Sequence, residues 1–329
     1  MKRGKIFRVL ATGTAIVCLA AGCVKSGAES SDRKAILFSV PATRSAVTSL
    51  GEGDAFAVWV RQSSAGVAQM ILSQETVRCA AGVWSYDNLR YWQQGATYDF
   101  YALYPHDVHQ AVLADTDAGQ TPRMTVTDFD TRRAEDLMVA EKVALAYAGS
   151  PSPVVFTFRH LLSKVEIVGR IDPALEAAGV SCRIVSASLY GLPATGSGTV
   201  APGGYGTWSL GGATTASEPF ASAGDVALVT AGQSVFGELL PFPQQVRGDI
   251  VLEIVYECTE AGGEPRSFSK TIALADAGVN QWEPSMSYRY TFVAGGDYIL
   301  FGTLHFVQQV AVRRGAQRGE KYFGSSHGW

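Results

Sequence analysis

The chain has 329 residues, a formal net charge of -3 and 17% charged side chains. So neutral a balance gives no electrostatic case for a nucleic-acid partner, which needs a basic surface to displace counterions. Gly, Ser, Thr and aromatic residues are plentiful against that low charge, a mix suited to many short strands joined by turns rather than to helices.

Lys2, Arg3, Lys5 and Arg8 form a basic start, and Val9 to Ala21 carries no charge. That run falls short of the roughly 20 apolar residues that a bilayer core requires. It fits the apolar segment of a secretory signal instead. The run closes on Leu19-Ala20-Ala21-Gly22-Cys23, which resembles the lipobox of bacterial lipoproteins, with Ala20 where that motif usually has leucine. The resemblance implies a signal peptide over residues 1–22 and a lipid on the Cys23 thiol. The alternative is an ordinary secretory signal cut near Gly22 that leaves Cys23 unmodified; Cys18 is the poorer candidate. Residues 23–35 are small and polar and read as a flexible tether. No later segment approaches transmembrane length, so the expected protein is anchored to a membrane rather than spanning it.

The body alternates strand and turn signals. Ile36 to Val40 is a short apolar run before Pro41, and Ala55 to Val60 is almost wholly apolar, as a core strand would be. Tyr98 to Tyr104 is aromatic-rich and stops at Pro105, and Val154 to Arg159 alternates with Val154, Phe156 and Phe158 on one face. Cys182 to Tyr190, Ile250 to Glu257, Tyr288 to Phe292 and Leu304 to Val312 repeat the strand period. The one clear helical signal is Asp172-Pro173 through Gly179, with Asp as N-cap, Pro at the first helical position and Gly beyond the end. A domain boundary is placed beside it, giving an all-β chain of two tandem sandwiches over 36–170 and 171–312 and a basic, glycine-rich tail over 313–329.

Cysteine says less. Beyond Cys23 there are Cys79, Cys182 and Cys258, with no zinc pattern. Cys182 and Cys258 both fall on predicted strands of the second half, so they either pair or stay as buried free thiols, and free thiols are the default. His106-Asp107 and His109 place two imidazoles and a carboxylate together, but no further ligand is near in sequence, so no metal and no cofactor is expected. His160 reads as a hydrogen-bonded structural histidine, and Glu135-Asp136 as a solvated turn. There is no nucleophile elbow, phosphate-cradling loop or dinucleotide fingerprint, and no enzyme is expected. Trp84, Tyr86, Tyr91 and Trp92 form either a carbohydrate-stacking platform or part of the sandwich packing, the second being favoured.

Several landmarks then resemble, in order, the fimbrillin-like proteins of Gram-negative gut and oral anaerobes, a type V pilin superfamily. Ile36-Leu37-Phe38-Ser39 with Thr43-Arg44 looks like the family's opening strand and its arginine. Gly51 to Asp54 leading into Phe56 to Val60, Tyr98 to Pro105, Asp136-Leu137-Met138-Val139-Ala140, Phe156 to Val165 and Ile299-Leu300-Phe301-Gly302 match later segments. The resemblance implies two tandem sandwiches of transthyretin-like or Greek-key type and a surface lipoprotein of the outer membrane. It also implies a role as subunit, anchor or adhesin of a fimbrium. In polymerising members an arginine-specific protease removes the first strand, and a strand of a neighbouring subunit fills the groove. Arg44 would be the processing site; the alternative is a solvated loop arginine, because anchor subunits keep their first strand. An inserted strand satisfies unpaired backbone groups and buries apolar area. The tail after Val312 departs from the pattern and does not look like a donor strand.

The leading expectation is a fimbrial subunit, anchor or adhesin that assembles by β-strand exchange with other fimbrial subunits, with a host or bacterial surface ligand as a further partner. The alternative is a carbohydrate-binding surface lipoprotein of a glycan-uptake system that uses Trp84, Tyr91 and Trp92.

Overall fold

The computed structural model describes residues 34–41, 50–108, 110–114, 120–133, 135–147, 149, 152–296, 298–301 and 305–308. Cys23, Arg44 and the tail lie outside them. The first half runs through β1 (Phe38–Ser39), β2 (Ala55–Ser64), β3 (Val67–Ala80), β4 (Val83–Ser85), β5 (Thr97–Tyr104), β6 (Ala111–Leu113), β7 (Met124–Asp130), β8 (Met138–Ala146), β9 (Val154–Val155) and β10 (Arg159–His160). The second runs through β11 (Lys164–Ile171), α1 (Pro173–Ala177), β12 (Ser181–Tyr190), β13 (Thr195–Val200), β14 (Thr207–Leu210), β15 (Ala221–Ala223), β16 (Val226–Leu228) and β17 (Gln233–Ser234). It ends with β18 (Gln244–Gln245), β19 (Val251–Thr259), β20 (Arg266–Ala273), β21 (Gln281–Trp282), β22 (Met286–Gly295), β23 (Tyr298–Phe301) and β24 (His305–Gln308). The fold is all-β with few, short helices.

An antiparallel sheet in the order β10-β8-β5-β2-β3-β4 is the centre of the first half. Both of its faces are covered, which is why β2 reads as an unbroken apolar run. Side chains alternate across a strand, so Phe56, Val58 and Val60 enter one core while Ala57 and Trp59 enter another. In β5, Tyr98, Phe100 and Ala102 join the first core, and Tyr101 and Leu103 join the second. The first core is closed by β1, β9 and the Trp84–Trp92 segment. The second lies against a sheet of order β14-β13-β7-β6.

The third core fills the space between β17-β11-β22-β23 and β15-β12-β19-β20, with Ile167, Ile184, Ile254, Tyr256, Tyr290 and Phe292 among its buried residues. Residue 170, beside which the boundary is expected, lies within β11. β11 pairs along its full length with β22, in parallel, from Lys164 opposite Ser287 to Ile171 opposite Ala294. Asp172 and Pro173 punctuate a turn inside the second half rather than a linker: the Asp172 carboxylate accepts the N–H of Ala174 at 2.8 Å and caps α1. Nor do the halves divide cleanly, because β13 pairs with β7, and Leu240 and Phe242 enter the second core.

Two further expectations are refined. Val154, Phe156, Phe158 and His160 are buried in alternation, but the segment changes sheets, since Val154–Val155 pair with β1 and Arg159–His160 with β8. The free-thiol expectation for Cys182 and Cys258 is overturned: they stand directly opposite across β12 and β19 and are disulfide-bonded, with Cα atoms 4.1 Å apart. A directly opposed pair projects its side chains from the same face, a register that sequence spacing alone does not reveal. Cys79 is free and buried.

The chain passes from β12 toward β13 through Gly191, whose φ is +87° and whose added Cβ would lie 1.9 Å from the Asp249 carbonyl oxygen. Gly203 has a similar φ of +74° with open space around it. Left-handed backbone alone costs a non-glycine residue about 1–2 kcal/mol. Gly203→Ala should therefore lose about that much, and Gly191→Ala distinctly more, because backbone must move as well. Denaturant midpoints of the two variants measure this, and equal shifts would refute the close-approach argument.

Candidate functional site, the slot filled by the first strand

Residues 34–41, which include β1, are laid between two other segments. On one side β1 runs parallel to β9, with Phe38 opposite Val154 and Ser39 opposite Val155. The Val154 and Phe156 amides donate to the carbonyls of Leu37 and Ser39 at 2.7 and 2.9 Å. On the other side the pairing is antiparallel. Ile36 donates to the Arg90 carbonyl at 2.8 Å, and Trp92 donates to the Lys34 carbonyl at 2.9 Å. The strand therefore bridges two segments and is held by backbone hydrogen bonds on both flanks.

Its side chains alternate as a strand demands. Ile36 and Phe38 are buried at 0% and 4% exposure, Val40 is half-buried against the same core, and Leu37 is 46% exposed. Phe38 sits in a box of four rings. Its centroid is 5.6 Å from Phe156, stacked, 5.3 Å from Tyr86, 6.2 Å from Phe100 and 6.5 Å from Phe56. The Tyr86 hydroxyl donates to the Ile36 carbonyl at 2.9 Å and accepts the Arg90 amide at 3.2 Å. Burial pushes the Tyr86 phenol above its ordinary range, against the pull of the Arg90 amide, which keeps its proton available for that donation. Burying Ile36 and Phe38 contributes roughly 3–6 kcal/mol at about 1.5–3 kcal/mol per side chain.

Trp84 and Trp92 do not form a stacking platform. Both are buried, Trp84 with its centroid 5.1 Å from Phe56 and Trp92 packed on Tyr98, Phe100 and Tyr147, so they build the floor of the slot's core. Tyr91 alone of the three is exposed, at 45%. Strand alternation explains the difference, since the neighbours Tyr91 and Trp92 point to opposite faces. Cys23 and Arg44, the expected lipidation and processing residues, lie outside the described residues, as does His109. Asp107 is engaged by Arg133 at 3.1 Å.

His160 is buried, and its Nδ1 meets the Asp136 carboxylate, while Ser285 Oγ donates to the His160 carbonyl at 2.8 Å. This corrects the solvated-turn reading of Asp136: the side chain is buried because its partner arrives from 24 residues away. Among the described residues no helix is long and apolar enough to cross a membrane, and no group of three His, Cys, Asp or Glu side chains could hold a metal ion.

The described residues thus form a many-sheeted β protein in which β1 fills an aromatic slot. The fimbrillin-like family matches residues 43–305, and the chain belongs to that family, one of fimbrial proteins and not of enzymes. No protein of curated function matches it. Among solved structures it is similar to a fimbrial protein from Bacteroides vulgatus, with TM-score 0.61 at 13% identity, covering 84% of this chain and 99% of that one. It is also similar to proteins assigned to cell adhesion from Bacteroides ovatus and Bacteroides uniformis. The first has TM-score 0.52 at 15% identity and covers 84% and 98% of the two chains. The second has TM-score 0.50 at 17% identity and covers 85% and 100%. At such identities the likeness concerns the fold.

Proposed function

We propose that this chain is a cell-surface fimbrial subunit, or a fimbria-associated anchor or adhesin, that assembles by β-strand exchange with other fimbrial subunits. On this reading it reaches the outer membrane as a lipoprotein acylated at Cys23. Cleavage at Arg44 then frees the first strand and empties the slot for a neighbour's strand. The observation that carries the reading is the slot itself: residues 34–41 fill an apolar groove with two fully buried side chains and are held by short backbone pairings on both flanks. Emptied, it would leave the amides of Trp92, Val154 and Phe156 and the carbonyl of Arg90 unpaired beside exposed rings, and an added strand satisfies both. The Cys182–Cys258 disulfide supports export, because such bonds persist in oxidising compartments.

The mass of the mature surface form tests the reading. A chain starting at Ser45, with ladders on unheated gels that Arg44→Ala abolishes, is the expected result for a fibre subunit. A chain starting at acylated Cys23 makes it an anchor. If trypsin-like treatment yields neither ladders nor capture of another fimbrial subunit, strand exchange is the wrong mechanism.

A further inference from the structure

The slot is unequal along its length, and we infer that it selects its strand at one position: it takes an uncharged strand with an aliphatic residue two places before an aromatic one, the aromatic ring entering the Phe56–Tyr86–Phe100–Phe156 box. The inference rests on the strand-exchange reading and names what the partner strand must carry. Ile36 and Phe38 are the two fully buried side chains of the seated strand. The second meets four rings, at centroid distances from 5.3 to 6.5 Å and in stacked, tilted and edge-on arrangements together. Ring quadrupoles favour stacked and edge-on neighbours, so an aromatic guest gains beyond its buried area what an aliphatic one of similar size does not.

Register is held by a separate device. The Tyr86 hydroxyl donates to the backbone carbonyl of Ile36, two residues before the boxed ring, so this contact is blind to side-chain identity. Ring box and hydroxyl together fix the spacing between one backbone carbonyl and one aromatic side chain. A strand displaced by two residues would put Ile36 in the box and Lys34 in the buried place of Ile36, which costs the desolvation of an ammonium group. A strand displaced by one residue would turn Leu37 inward and Phe38 to solvent. The partner is thus a strand of a second fimbrial subunit with the pattern aliphatic, any residue, aromatic.

The test uses the whole chain with a recognition sequence for a specific protease in place of residues 43–48. After nicking, every described residue is still present and the first strand can exchange. Fluorescent peptides spanning 34–41 compete for the slot in four forms: native, Phe38→Leu, Phe38→Ala, and one with Leu37 and Phe38 exchanged. The native peptide is expected to enter, with Phe38→Leu about tenfold weaker and the other two weaker still. In a Tyr86→Phe host every peptide should weaken by a similar factor, because the lost contact is to backbone. Equal entry of the native and Phe38→Leu peptides would overturn the inference while leaving strand exchange standing. Failure of every peptide to enter would overturn strand exchange and the inference with it. Because the peptides vary and the slot does not, the series decides the question even if Tyr86→Phe misfolds.

Discussion

Phe38→Ala should lower the stability of the protein by about 3–5 kcal/mol, the usual cost of truncating a buried phenylalanine, while Leu37→Ala next to it should stay within about 0.5 kcal/mol. The two residues share a backbone segment and its hydrogen bonds, so the pair separates side-chain packing from strand pairing. Phe38 is 4% exposed within the four-ring box, and Leu37 is 46% exposed on the outer face. The box cannot close over the loss. Phe56 belongs to the central sheet and also packs on Trp84 and Phe158, and Phe100 packs on Trp92 and Tyr98. Rings held by other neighbours leave the cavity open, and an open cavity is what moves a core substitution to the upper end of its range. A second signature is local. Weakening β1 should speed exchange of the Val154 and Phe156 amides, which donate only to its carbonyls, ahead of the amides within β2 and β5. Equal midpoint shifts for the two variants, or uniform exchange across the sheet, would show that the first strand is held by its backbone alone.

How far the sequence announced this arrangement depended on period. β12, β19 and β22 carry strand period and lie where it puts them, β5 was legible as an aromatic run that stops at Pro105, and the unbroken run of β2 is buried on both faces. β3 escaped because its fourteen residues include Gln69, Ser73, Gln74 and Glu75, and it lies toward the edge of the sheet, where polar side chains meet solvent. β13 escaped for the opposite reason. Its Gly196 and Gly198 look like turn residues, yet the space of their missing side chains is taken by the rings of Phe242 and Trp208. Glycine marks close approach in a strand as well as a bend, and one sequence does not say which. The slot was half legible. The apolar run at Ile36 to Val40 could be read, whereas the ring box is assembled from residues up to 118 positions apart, as Phe38 and Phe156 are, and the choice between Trp92 and Tyr91 as the buried neighbour depended on which face the core occupied.

The second large effect is expected at the disulfide. Removing it as Cys182→Ala/Cys258→Ala should cost about 2–4.5 kcal/mol, the upper figure being the chain-entropy value for a closed loop of 76 residues and the lower one the common shortfall. The bond joins the start of β12 to the end of β19, strands already paired over nine registered residues, so it adds little that the folded sheet lacks. Its weight falls on the unfolded chain. The closed loop contains β13 and β14, which in the folded state sit in the sheet of the other half, and cross-linking the loop's ends removes many unfolded arrangements that would separate these strands from their partners. Both sulfur-bearing residues are buried, so reductant should leave the native protein nearly untouched and act once denaturant has opened the third core. Unfolding curves of the wild-type chain should therefore shift to the variant's midpoint when reductant is added, and the double variant should ignore it. Alkylation of the unreduced, denatured protein should label Cys79 and spare Cys182 and Cys258. A wild-type midpoint indifferent to reductant, with both cysteines labelled, would return them to free thiols and remove one support for export through an oxidising compartment, while the slot formed by Phe56, Tyr86, Phe100 and Phe156 in the other half would stand unchanged.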